Sequence, residues 1–143
     1  MAAMDGLDPM LTDLIAGAGG SSPYLLSLIQ KEAAWLHPSM ADPDGAVAVI
    51  FAGLPYVALD DLPMALREAK RRIALLTGLA DLGGIWGLEK VTQTLTDFAD
   101  LAVDVSIKAL VAAEIMRGKL PGMGPDDVAD AAGMIVLAMG KMG

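Results

Sequence analysis

The stretch Leu88–Arg117, "LEKVTQTLTDFADLAVDVSIKALVAAEIMR", decides the fold. Leu88, Val91, Leu95, Phe98, Ala102, Val105, Ala109, Ala112 and Met116 recur in alternating steps of three and four. An α-helix turns once in about 3.6 residues. That spacing therefore gathers the nine side chains into one seam, of the kind through which antiparallel helices pack. Opposite the seam run Glu89, Gln93, Asp97, Asp100, Asp104 and Lys108. Carboxylates at this spacing can in principle hold a hard cation. A solvated face with an Asp104–Lys108 pair is the plainer reading. Past Val103 the helix turns apolar almost all round, at Ile107, Leu110, Val111, Ala113 and Ile115, which predicts burial of that half inside a bundle.

Upstream, "GLADLGGIWG" (Gly78–Gly87) predicts a turn between two long helices, with Trp86 as an anchor. The preceding helix starts near Asp61-Leu62-Pro63, and Leu62, Leu66, Ala69, Ile73 and Leu76 form its apolar stripe. Arg67, Lys70 and Arg71 lie off that stripe and read as a solvated face or as a docking surface for an acidic partner. Nearer the start, "DPMLTDLIAGAGG" reads as a short helix capped by Asp8, with Pro9 in its first turn and a stop at the glycines after Ala16. "SPYLLSLIQKEAAWLHP" repeats the pattern, with Ser22 as N-cap, Pro23 at the first helical position and Pro38 just beyond the end. "GAVAVIFAGL" predicts a short helix buried on most sides.

Downstream, Gly118 and Pro121 end the long helix, "GKLPGMGPDD" is loop, and "DDVADAAG" has one or two helical turns. Met134–Met139 is a run of β-formers ahead of Gly140-Lys141-Met142-Gly143 and reads as a C-terminal strand. The expected fold class is mainly α: a helical bundle of about four to six helices with one C-terminal β-strand.

Composition narrows the functions open to such a chain. Its 143 residues suit one domain. It is 55% hydrophobic with a mean hydropathy of +0.53, yet "GAVAVIFAGLPYVAL" is too short, and too broken by Gly53 and Pro55, to span a bilayer. The acidic start "MAAMDGLDPM" lacks the basic flank of a signal peptide, so a cytoplasmic location with no membrane contact is expected. Cysteine is absent, which excludes disulfides and thiolate zinc sites. His37 is the only histidine, so no multi-histidine metal site exists and any Ser-His-Asp scheme would hang on one residue at a helix end. A net charge of −8 makes nucleic acid an unexpected partner.

The ending "VLAMGKMG" is not a phosphate loop of the Walker type. Gly133 lies too far from Gly140, and Met142 stands where Ser or Thr must hold magnesium. The order of "SPYL", then "ALREAKRRIALLTGLADLGGIWGLEKVTQTLTDFAD", then "IVLAMGKMG" nevertheless resembles the N-terminal part of the glutamine-synthetase adenylyltransferase family. The resemblance runs from about Ser22 to Gly143, and the Ala-Met-Gly-Lys-Met-Gly ending, similar to the family's Gly-Lys-Leu-Gly-Gly turn, carries most of it.

Such a resemblance implies a bifunctional enzyme of nitrogen regulation, which adenylylates a tyrosine of glutamine synthetase and removes the group by phosphorolysis. In that family the glycine-lysine turn leads into a polymerase-β-like nucleotidyltransferase domain, whose Ser-Asp-x-Asp segment holds magnesium. The implied division is a helical region over 1–130 and the truncated start of the nucleotidyltransferase domain over 131–143. Gly140, Lys141 and Gly143 are then the residues expected to meet nucleotide, through backbone N–H groups and one cationic side chain. No catalytic or metal-binding residue is expected here. Mg2+ and ATP or phosphate belong to the parent enzyme, with none expected for this segment alone. Its implied partners are glutamine synthetase and a nitrogen-signalling regulatory protein. A strand without its sheet would also favour self-association through the C-terminal end. The alternative is a non-enzymatic helical protein-interaction module, distinguished by whether the reading frame continues past Gly143 with Asp-x-Asp.

Overall fold

The computed structural model describes residues 9–140, and among them the chain forms five α-helices and several 3₁₀ turns. Some helix starts follow local chemistry closely, and some helix ends do not. α1 (Pro9–Ser21) passes straight through Gly17 and Gly20, where a stop is expected. Each interior glycine costs about 1 kcal/mol relative to alanine. The burial of Ile15 and Ala18 against the neighbouring helices overrides that local cost. Asp8, the expected cap, lies outside the described residues.

α2 (Pro23–Ala41) starts where expected, with the Leu25 N–H donating to Ser22 Oγ at 3.3 Å. Pro38 sits inside it instead of beyond it, near enough to the end that its missing N–H interrupts only the last turn. Glu32 departs from helical geometry (φ −112°, ψ 17°) and kinks α2 in its middle.

α3 (Pro43–Gly53) is capped by Asp42, whose Oδ1 accepts from the Gly45 N–H at 3.0 Å. The expectation that it is buried on most sides fails: only Pro43 is buried and Val49 is 74% exposed. A 3₁₀ turn at Leu54–Tyr56 carries the chain toward α4 (Leu62–Leu82).

α4 and α5 (Leu88–Met116) form an antiparallel hairpin in which Trp86 is buried as expected. The turn, expected over Gly78–Gly87, begins only after Leu82, because burial of Leu79 and Ala80 keeps that stretch helical. α4 is packed on two sides. On one, Leu75, Leu76 and Leu79 join Ile15, Leu28, Ile29, Leu36 and Met40 in the main core. Gly78 lies so close to Leu25 that an added Cβ would stand 3.0 Å from a leucine methyl carbon, so glycine sets the approach of α2 to α4. On the other side, Leu62, Ala69, Leu54 and Val105 form a smaller core, with Leu66, Phe98, Leu101 and Ala109 against it.

The α5 seam is only partly the one expected. Phe98, Val105 and Ala109 face α4, but Leu88, Leu95 and Met116 are exposed, while Thr94 and Val111 are buried. A strict seven-residue repeat drifts by about 20° per heptad around a straight helix. Leu88, Leu95, Ala102, Ala109 and Met116 follow that repeat, so the line they form winds off the contact face. Length adds to this: α5 has 29 residues against 21 in α4. The excess is about 12 Å of helix at 1.5 Å per residue. The apolar half past Val103 is accordingly not enclosed, and Leu110 is 55% exposed.

Gly118 ends α5 as expected, in the left-handed conformation (φ 71°). The Gly118 N–H donates to Ile115 O and the Lys119 N–H to Glu114 O, which satisfies two of the last carbonyls. Two 3₁₀ turns follow, Pro125–Val128 and Ala131–Gly133. Ala131 and Ala132 both have positive φ (54° and 53°), uncommon for alanine, where the chain doubles back along α5.

The expected strand at Met134–Met139 is not formed: no residue there belongs to a strand or a helix. A strand exists only as part of a ladder. The segment instead lies along α5, with no sheet among the described residues to receive it.

Candidate functional site

Of the residues expected to meet nucleotide, only Gly140 is described. It has a left-handed backbone (φ 74°) and is exposed, at the end of the apolar segment. Lys141 and Gly143 lie outside the described residues, so the three are not seen brought together.

Beside this segment runs a groove of about 560 Å³ between α5 and the returning chain. Val103 and Ile107 line its helix side, and Met134, Val136 and Leu137 its other side. Its polar lining consists of Asp100, Asp104, Asp130 and Lys108, and Lys108 Nζ is already bound to Asp104 Oδ2 at 2.9 Å. An apolar trough with a carboxylate excess has nothing to offer a phosphate. A second recess of about 570 Å³, between the Leu54–Leu62 stretch and the last turns of α5, is apolar too, with Ala109, Ala112 and Met116 on its helix side.

The carboxylate row on α5 does not converge. Asp97 accepts from Gln93 Nε2 at 2.6 Å, and Asp104 takes Lys108. Asp127 Oδ2 accepts from the Gly124 N–H at 2.7 Å, which turns it back onto its own loop. Among the described residues no three His, Cys, Asp or Glu side chains gather as a metal would require. The donor set present does not fit magnesium. His37 is exposed near the end of α2.

The polar centre that sequence reasoning missed is Glu32. It is buried (6% exposed), and it accepts from Arg71 Nε at 3.3 Å through Oε1 and from Arg72 Nε at 2.9 Å through Oε2. Arg72 also reaches Glu68 at 3.0 Å and stacks over Trp35, 4.9 Å from the ring centroid. A buried carboxylate held by two guanidinium groups joins α2 to α4 exactly where α2 kinks. A Glu within an apolar periodic face, 39 and 40 residues from adjacent arginines, was the only available signal.

A lesser pair ties α3 to α5. Lys90 Nζ lies 2.6 Å from Asp44 and 5.2 Å from the Trp86 ring centroid. The hydrogen bond from Lys90 is the main reason the Asp44 carboxyl is held below its ordinary 3.8; Lys90's charge and Trp86 act in the same direction, and desolvation opposes them.

The described surface holds a structural ion-pair centre and open apolar grooves. The profile of the family described as "Glutamate-ammonia ligase adenylyltransferase" matches residues 11–143. Three relatives are each named bifunctional glutamine synthetase adenylyltransferase/adenylyl-removing enzyme. The protein of Bradyrhizobium diazoefficiens is 36% identical over 96% of this chain and 14% of its own length. That of Rhodopseudomonas palustris is 36% identical over 100% and 15%, and that of Caulobacter vibrioides 37% identical over 90% and 14%. No solved structure matches the chain. The chain spans about one seventh of the length of these relatives. With its family profile matched from residue 11 to residue 143, the chain belongs to the glutamate-ammonia ligase adenylyltransferase family.

Proposed function

We propose that this chain is a helical portion of a bifunctional enzyme that adenylylates glutamine synthetase and removes the adenylyl group, and that alone it catalyses neither step. The observation that carries this reading is identity of about 36% over nearly the whole chain to relatives bearing that name. Adenylyl transfer builds charge on phosphoryl oxygens and calls for divalent metal held by converging carboxylates. The carboxylates of Glu32, Asp104 and Asp127 are held by Arg, Lys and backbone partners, which agrees with a supporting role.

In this reading residues 1–130 are the helical region, and 131–143 open a polymerase-β-like nucleotidyltransferase domain using Mg2+ and ATP or phosphate. Gly140, Lys141 and Gly143 contact nucleotide there. Glutamine synthetase and a nitrogen-signalling regulatory protein are the partners, and the enzyme works in the cytoplasm. No helix among the described residues is long and apolar enough to cross a membrane, which is compatible with that location. The decisive test is to delete this coding region in the source cell and follow the adenylylation state of glutamine synthetase as nitrogen supply changes. A response identical to that of the intact cell overturns the proposal. Release of the adenylyl group from modified glutamine synthetase by the purified chain with magnesium overturns its second half.

Self-association through the C-terminal segment belongs to the same reading. Ile135, Leu137 and Met139 are more exposed than Met134 and Val136, an alternation that leaves one apolar side of an extended chain open. Deleting 133–143 should lower the sedimentation coefficient of the associated species to that of a monomer. If both chains sediment as monomers at equal concentration, the segment is no self-association edge.

A further inference from the structure

We propose that the outward face of α4, formed by Met64, Arg67, Lys70 and Arg71, is a docking surface for an acidic segment of a partner protein. These four positions share one side of the helix, opposite the Leu62–Ala69–Ile73–Leu76 stripe, and Met64, Arg67 and Lys70 are exposed. They flank a recess of about 330 Å³ lined by Met64, Ala65, Arg67, Glu68 and Arg71.

The charges on this face are unbalanced in a molecule that has acids to spare. The whole chain carries −8. Yet Arg67 and Lys70, like the isolated Lys31, have no carboxylate within salt-bridge distance among the described residues, whereas Arg72, Lys90, Lys108, Arg117 and Lys119 each have one. Glu68, the one acid on the same stretch of helix, reaches round to Arg72 instead. Arg67 stands three and four residues from Lys70 and Arg71, so the cations repel one another along the face. An acidic chain that leaves Arg67 and Lys70 of this basic ridge uncompensated has a surface that attracts anions against its overall field.

Arg71 adds preorganisation. Its Nε is held by buried Glu32 at 3.3 Å, which fixes the guanidinium and leaves its terminal nitrogens with no protein partner among the described residues. A guanidinium already ordered loses less entropy when a carboxylate binds it in a fork. The exposed Met64 side chain supplies an apolar contact at the edge of the recess. The ridge spans little more than one helical turn, too short to neutralise the closely spaced phosphates of a nucleic acid. It fits the scattered carboxylates of a protein segment.

The test uses the whole chain and a short fluorescein-labelled peptide of Asp, Glu and Leu, followed by fluorescence anisotropy at low and physiological salt. R67E/K70E should weaken binding about tenfold or more, while R117E/K119E, an equal change of charge elsewhere, should leave it within about twofold. Binding should fall as salt rises. In parallel, carbodiimide coupling of the unlabelled peptide to the unaltered chain should mark Lys70 ahead of Lys31 and Lys119. Equal loss in both variants overturns the proposal, as does absence of measurable binding. Tighter binding of a single-stranded oligonucleotide of equal charge assigns the face to phosphate and also overturns it, as does coupling that spares Lys70.

Discussion

α4 and α5 are neighbours of similar chemistry and opposite circumstance. α4 is covered on both flanks, and Ile73, Leu75, Leu76, Leu79 and Ala80 are 1% exposed or less. α5 is the longer helix, yet within it only Thr94, Val105 and Val111 are buried. Both helices carry abundant apolar residues, so hydrophobic content does not separate them. What separates them is whether a second layer lies on the far side. Stability is concentrated around α4, and open apolar surface along the rim of α5.

The comparison breaks most readily at the main core. Leu79→Ala removes a fully buried side chain between α1, α2 and α4 and should cost about 3 kcal/mol in urea unfolding. A loss below about 1 kcal/mol would mean that α4 is not the centre of the fold. Glu32→Ala comes next. It strips Arg71 and Arg72 of their shared carboxylate, and since both arginines are part-exposed and can rehydrate, the expected cost is about 2 kcal/mol. Glu32→Gln, which keeps the shape and one of the two acceptors, should recover some of that loss; a variant as stable as the parent would remove the ion pair from the account.

On the α5 side the effects shrink. Phe98 is half-buried and stacks with Phe51 at a centroid distance of 6.4 Å. Phe98→Ala should therefore cost about 1.5 kcal/mol, less than half the usual penalty for a fully buried ring. A cost as large as that of Leu79→Ala would erase the contrast between the two helices.

The smallest effect is expected at Asp44, whose exposed pair with Lys90 is worth about 0.5 kcal/mol or less. Its carboxyl is held below its ordinary value in the folded chain, so the contribution is present above that ordinary value and disappears as pH falls through the lower, folded one. Lys90→Ala should flatten this part of the stability–pH curve. An unchanged acid limb means that the pair contributes nothing in solution.

Local signals carried much of the fold. The Ser22-Pro23 start, the α4 stripe, the burial of Trp86 and the Gly118 stop are each written within a few residues, and each appears where it was expected. Signals that depend on distant partners were not legible. Glu32 became a buried ion-pair centre only because the hairpin returns Arg71 and Arg72 to it. The glycines of α1 stay helical because other helices cover them. Met134–Met139 has strand-like residues but no ladder, which local preference cannot provide. For the candidate site, the resemblance pointed to the family while Lys141 and Gly143 fall outside the described residues, so the nucleotide contact rests on sequence alone.

The kinked join at Glu32 also restricts how α2 and α4 can slide past each other. Leucines meeting leucines tolerate displacement by a helical turn, because one methyl contact resembles the next. A carboxylate lodged between the Nε atoms of two consecutive arginines does not. Moving α2 by one turn along α4 would leave a charge buried without either donor, at a cost of several kcal/mol. The kink and the pair of arginines therefore select a single alignment, and any surface elsewhere on α4 inherits a fixed address relative to the rest of the molecule.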